Sequence, residues 1–318
     1  MTTGRRLSRR TLLRLSVSGL VAGSLSSLGC RPAAGPSNAN SHGAGPDFRV
    51  AFLTDPHVRS QARAHQGFEQ AVGHALAQQK PPEVVITGGD LAFDIMETDK
   101  ALADEQYGLF DQGIESVDVP IHHAVGNHDC FGVSSGSSIS VDDPLYGKGY
   151  FLQRFGLEKA YQSFEHEGWH FVLLDTIGIT GERGYEGRID AEQLAWLADD
   201  LAAANRPTVV VGHIPVFTHY LQWTRGSEPG LPGGIAVTNA HELVEVLVRY
   251  PVKLVLAGHL HINEVFQYKG IEFANVGAVS GDWWRGEHED FHEGYAMLDF
   301  EGDQVKWSYV DYGWDVPA

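Results

Sequence analysis

The sequence predicts an α/β protein with mixed sheets. Three features lead there. From Phe48 onward, short apolar runs alternate with longer stretches of helical spacing. Most of the runs stop at a polar or glycine-containing turn, as buried strands do. At five of those stops stand Asp, His or Asn, residue types that hold metals, at the strand ends where α/β sheets build their sites.

In chain order, residues 49–53 are the first strand signal and 64–79 have helical spacing. Residues 83–87 predict a second strand ending at Gly88-Gly89, and 98–116 a second helix. A third strand, 121–125, closes at Gly126, and a Gly/Ser-rich loop follows near 132–148. Residues 169–174 predict another strand. Residues 191–204 form a clear amphipathic helix, with Asp190 near its N-cap. A strand at 208–211, a helix at 239–249, a strand at 252–256 and a last group of strands from about 263 to 310 complete the chain. No repeat of fixed period is present.

The chain has 318 residues, enough for one large core or two small domains. Its 43% hydrophobic and 20% charged content is ordinary for a soluble globular protein. The formal charge is −18, yet the first 29 residues hold five arginines and no acid, so the remainder carries 18 basic against 41 acidic residues. A body that acidic repels nucleic acid and anionic lipid, so duplex binding is not expected, while divalent cations are favoured. Two cysteines, Cys30 and Cys130, are too few for a disulfide framework or a thiolate zinc site.

The basic start is followed by a mild apolar run, 15–29, too short and too rich in Gly and Ser to span a bilayer well. Ser8-Arg9-Arg10-Thr11-Leu12-Leu13 resembles the twin-arginine export signal. That resemblance implies the twin-arginine machinery as a partner and a periplasmic or cell-envelope location. Leu28-Gly29-Cys30 resembles the end of a bacterial lipobox, with Ser27 where the pattern prefers an aliphatic residue. It implies lipid anchoring through Cys30, against the alternative of simple cleavage nearby. Residues 30–47 are rich in Pro, Gly, Ala, Ser and Asn and read as a flexible linker. The expected layout is a signal at 1–29, a linker at 30–47 and one domain at 48–318.

The strand ends carry the chemistry. Asp55 and His57 follow the first strand, Gly89-Asp90 the second and Gly126-Asn127-His128-Asp129 the third. Gly212-His213 follows the strand at 208–211, and Gly258-His259-Leu260-His261 the strand at 252–256. Carboxylate, imidazole and amide donors suit divalent Mn, Fe, Zn or Mg. Asp90 stands where it can bridge two ions, and a two-ion site can clamp an in-line displacement at phosphorus and supply a metal-bound hydroxide.

These five segments together resemble the calcineurin-like metallophosphoesterase superfamily over roughly residues 48–300, with support from Gln193-Leu194-Ala195-Trp196-Leu197. The resemblance implies a four-layer α/β sandwich with two central sheets. It implies one metal on Asp55, His57, Asp90 and His261, and a second on Asp90, Asn127, His213 and His259. It implies His128 as the general acid, a role that suits the histidine pKa. Phe93 stands where purple acid phosphatases carry an iron-binding tyrosine, so a coloured iron(III) site is not expected. Many relatives place an acid there to orient the histidine; here Asp94 is one residue late, and Asp94 and Asp129 remain alternatives.

The opening D-x-H and compact length are similar to the bacterial class that includes cyclic-nucleotide phosphodiesterases. Gly281-Asp282-Trp283-Trp284-Arg285-Gly286 resembles a Trp-rich segment of some exported relatives. Trp283 and Trp284 are candidate stacking walls for a base or sugar, with a packed core turn as the alternative. Arg59, Arg188 and Arg285 are candidate phosphate clamps. His288 and His292 lie in an acidic loop and are expected to be solvated. The leading function is an exported dimetal hydrolase of phosphate mono- or diesters acting on a small substrate. Its alternatives are a cyclic-nucleotide phosphodiesterase and a non-catalytic metal-binding surface protein.

Overall fold

The computed structural model describes residues 47–181, 183–226 and 232–316. The expected signal, Cys30 and the linker up to residue 46 lie outside the described residues. The chain begins with β1 (Phe48–Leu53), α1 (Ala64–Leu76), β2 (Val84–Thr87), α2 (Lys100–Ile114) and β3 (Ile121–His123). Next come α3 (Gly149–Phe155), β4 (Gln162–His166), β5 (Trp169–Leu173), β6 (Ile177–Ile179), β7 (Tyr185–Gly187) and α4 (Ala191–Ala204). They are followed by β8 (Thr208–Val211), α5 (Tyr220–Arg225), α6 (Ala240–Leu247) and β9 (Val252–Ala257). The end is β10 (Glu264–Tyr268), β11 (Ile271–Asn275), β12 (Gly294–Glu301) and β13 (Gln304–Asp311).

Two mixed sheets organise these elements. One has the order β13-β12-β1-β2-β3, the other β10-β11-β9-β8-β5-β4, and β6-β7 is a separate hairpin. β1, β2 and β3 run parallel, as do β5, β8, β9 and β11. β12 pairs antiparallel with β1 over Phe48–Phe52, so the C-terminal part of the chain completes the first sheet.

Alternation along each strand makes two cores. Phe48, Val50 and Phe52 of β1 join Phe171 and Leu173 of β5, Val209 and Val211 of β8 and Leu254 and Leu256 of β9 between the sheets. The opposite faces, including Ala51, Leu53, Val210 and Val255, pack with helix side chains such as Phe68, Phe110, Leu197 and Leu243. The result is the four-layer sandwich with two central mixed sheets that the resemblance implied.

α4 runs over 191–204 as read from the sequence, and its cap shows why. Asp190 is extended, and its carboxylate accepts from Gln193 N at 2.7 Å. The same device starts α2, where Asp99 accepts from Leu102 N. The sequence reading missed α3, β4, the β6-β7 hairpin and α5. All four are short, β4 is a half-exposed edge strand, and α3 and α5 have no side-chain cap.

Candidate metal centre

The parallel strands point their carboxyl ends to one place, and the polar residues beyond them meet there. Asp55, His57 and His261 offer ligand atoms within 4.8 Å of one another, and so do Asp90, His213 and His259. The first sheet contributes both carboxylates, His57 and Asn127, and the second sheet contributes His213, His259 and His261. Asp90 joins the two groups. Its Oδ2 lies 3.1 Å from His213 Nε2 and 3.6 Å from His57 Nε2. Its Oδ1 is occupied, accepting from His128 N at 2.8 Å. Asn127 Oδ1 stands 3.1 Å from His213 Nε2, which places Asn127 with the second group.

The imidazoles are fixed by what their other nitrogens touch. Nδ1 of His57, His213 and His261 faces the carbonyls of Phe93, Gly88 and Gly281, at 3.3, 2.9 and 2.5 Å. For His57 and His261 this puts the hydrogen on Nδ1 and leaves the Nε2 lone pair inward, and for His213 it aims Nε2 at Asp90. His259 is reversed: its Nε2 faces Gly234 O at 2.7 Å, so Nδ1 is the free donor. His57 Nε2 and His261 Nε2 stand 3.2 Å apart. Two lone pairs aimed at each other inside a buried site suit a shared cation. Asp55 is held by Thr54 Oγ1 at 2.5 Å and by His259 N at 3.0 Å. Burial raises the Asp55 carboxyl, but the His213 and His261 rings outweigh it and hold the group well below the usual range. Burial pushes His57 down to about 3. For His213 the charge of Asp90, with Asp55, overcomes burial and lifts the ring to about 9. Buried carboxylates and imidazoles facing one another fit a pair of divalent ions, whose charge would take the place of the His213 proton.

The backbone here is strained. Asp55, His57, Asp90, His259 and His261 all have positive φ, between 42° and 70°. Such conformations cost on the order of 1–3 kcal/mol each and collect at functional sites. The glycines of the motifs serve close approach. A Cβ at Gly126 would meet Asp90 Oδ1 at 2.1 Å, and one at Gly258 would meet Asp55 Oδ2 at 2.1 Å.

His128 sits at the rim, partly exposed, its ring edge-on to His57 at 4.9 Å. Its Nδ1 lies 3.8 Å from Asp94 Oδ1. Asp94 is itself fixed, accepting from Met96 N at 2.8 Å. Asp129 is elsewhere: it is fully buried and accepts from Leu91 N, Gly126 N and the Tyr107 hydroxyl. Asp129 ties the second strand tip to the third, and Asp94 is the acid that faces His128.

A family model described as calcineurin-like phosphoesterase matches residues 48–263. The chain belongs to the calcineurin-like phosphoesterase family. This phosphoesterase is a hydrolase of phosphoester bonds. A probable cyclic nucleotide phosphodiesterase of Psychrobacter arcticus is 22% identical over 242 residues, 71% of this chain and 78% of that protein. Another, from Synechococcus sp., is 24% identical over 277 residues, 82% of this chain and 93% of that one. A dimetal phosphatase from Danio rerio superposes with a TM-score of 0.58 at 14% identity, covering 84% of this chain and 99% of that one. That likeness is one of fold.

The Trp-rich segment of the phosphoesterase divides in two. Trp283 is half-exposed, with positive φ, and its ring lies 4.5 Å from that of His261 and 5.7 Å from that of His57. Trp284 is 1% exposed, so the reading of it as a stacking wall is corrected: it is a core residue. Its Nε1 donates to the carbonyls of Pro56 and His57, and its ring packs edge-on against Trp314. Arg59 lies over Phe93, and Arg285 lies over Trp283. Arg188 is exposed and faces Glu186 at 3.8 Å. His288, expected to be solvated, is half-buried at the rim, its ring 5.8 Å from that of His261. His292 is exposed, as read.

Sequence reasoning missed Thr176, beyond β5, whose Oγ1 accepts from both His213 N and Ile214 N. It also missed Gly234, whose carbonyl sets the His259 tautomer. Neither has a side-chain signature, although Thr176 does follow an apolar strand.

Proposed function

We propose that the chain is an exported dimetal phosphodiesterase. Asp55, His57, Asp90 and His261 would hold one ion, and Asp90, Asn127, His213 and His259 the other. The observation that carries this is Asp90, with one oxygen bound to His128 N and the other lying between two ligand groups. When bound, such ions supply an activated water and positive charge for the phosphoryl oxygens. The protein's own part is to orient and to move a proton. His128, backed by Asp94, holds a proton at Nε2 for the leaving oxygen. The carbonyls of Phe93, Gly88, Gly234 and Gly281 keep four imidazoles in one tautomer each.

Preference for a diester rests on the relatives named as probable cyclic nucleotide phosphodiesterases. Metal-loaded protein is expected to turn over bis-p-nitrophenyl phosphate faster than p-nitrophenyl phosphate. The reverse order makes it a phosphomonoesterase, and failure on both favours the non-catalytic reading. Export rests on Arg9-Arg10. The double change Arg9→Lys with Arg10→Lys is expected to leave precursor in the cytoplasm on cell fractionation, and normal export of that variant means another route.

A further inference from the structure

Two aromatic rings, Phe93 and Trp283, stand against His57, and each carries a guanidinium. Phe93 stands edge-on to His57 at 6.3 Å, and Arg59 lies over the Phe93 ring at 3.7 Å. Trp283 stands against His57 at 5.7 Å, and Arg285 lies over the Trp283 ring at 5.9 Å. Both guanidiniums thus stand one ring away from His57. Arg285 uses Nη2 on Asp282 at 3.0 Å. Among the described residues, Arg59 has no carboxylate partner, and its buried Nε has no hydrogen-bond acceptor. In a chain of net charge −18, an arginine left without an acid at the rim of the metal centre is conspicuous.

We propose that Arg59 and Arg285 form an anion seat beside the metal centre, and that it takes a second phosphate of the substrate, one that is not cleaved. A guanidinium presents a planar fork of donors that matches phosphate oxygens. The phosphate undergoing cleavage is already provided for by the two ligand groups and His128. The inference rests on the reading of that centre as a phosphoesterase. It narrows the substrate to esters with a further phosphate on the alcohol or nucleoside part. A cyclic mononucleotide has a single phosphate and leaves the seat empty.

A matched pair of substrates tests this: thymidine 5′-(p-nitrophenyl phosphate), and the same ester with a phosphate added at the 3′ position. Wild-type protein is expected to show a KM about tenfold lower for the second, the size of one charge-assisted contact. Arg59→Met keeps the stem on Phe93, and the exposed Arg285→Gln guards against a folding defect in the first variant. Each is expected to raise KM for the bisphosphorylated ester several-fold more than for the plain one, with metal content as in wild type. No wild-type preference, or equal losses on both esters in both variants, overturns the seat. Should neither ester be hydrolysed, the catalytic reading fails, and calorimetry with thymidine 3′,5′-bisphosphate then reads the seat alone. Weaker binding in both variants upholds it, and binding equal to wild type overturns it.

Discussion

Residues 121–128 contain three histidines put to two different uses. In the body of β3, His122 lies flat on Phe164, with centroids 3.6 Å apart and planes within 5°. His123 stacks on Phe155 at 4.2 Å and meets the edge of Phe110 at 5.7 Å. Burial pushes these rings down to about 4 and about 3, so both stay neutral. Beyond the strand, His128 has Asp94 on one nitrogen and an open rim on the other side. Within the pleat an imidazole serves as a small aromatic, and past its end it serves as a nitrogen base. At other tips the backbone itself changes, with left-handed conformations at Asp55, His57, Asp90, His259 and His261.

If that contrast holds, substitutions at the tips should remove chemistry, and those in the strand should remove stability. The largest effect is expected for Asp90→Asn. Losing the shared carboxylate should lower metal content from about two equivalents to one or fewer and turnover by more than about 10³-fold. Elemental analysis beside turnover checks it, and a variant that keeps both ions and its rate removes Asp90 from the bridging role. His128→Ala comes next. It should keep its metal and lose ~10²–10⁴-fold in turnover on an alkyl ester, whose leaving oxygen needs a proton, and less on an aryl ester. Equal losses on both would leave His128 a phosphate contact only. Asp94→Asn should follow the same pattern at about tenfold.

The smallest effect belongs to the strand. His123 has a folded pKa of about 3, below the ordinary value of 6.5. As pH falls through 6.5 the unfolded chain takes up a proton that the folded chain refuses. The stability is therefore present above about 6.5 and drains away toward 3. His123→Phe, which keeps the stacking and forgoes the contact with Thr87 Oγ1 at 2.8 Å, should have a flatter Tm between those pH values with unchanged metal content. A Tm profile parallel to wild type would sever His123 from acid sensitivity.

The same contrast explains what could be read in advance. The seven candidate ligands and His128 were legible because each follows an apolar run and stands beside a turn residue. The fold brings them to one place. α4 was legible because its period and Asp190 agree. Trp283 and Trp284 were not separable, since neighbours in a turn face opposite ways and no period says which way is in. The left-handed φ values at five of the ligands were also invisible, because sequence rules assign such angles to glycine. Strands as short and exposed as β4, β6 and β7 leave too few buried residues to make a pattern.

Trp284 also sets an order of events. The residues that name the family end at 263. Yet the hydrogen bonds that hold the turn around His57, and the carbonyl that orients His261, come from 281–284, and β1 has its neighbour β12 only after 294. During synthesis every candidate metal ligand leaves the ribosome before the piece that clasps the first of them. A released chain truncated after residue 280 should carry the full set of candidate ligands and bind no metal tightly.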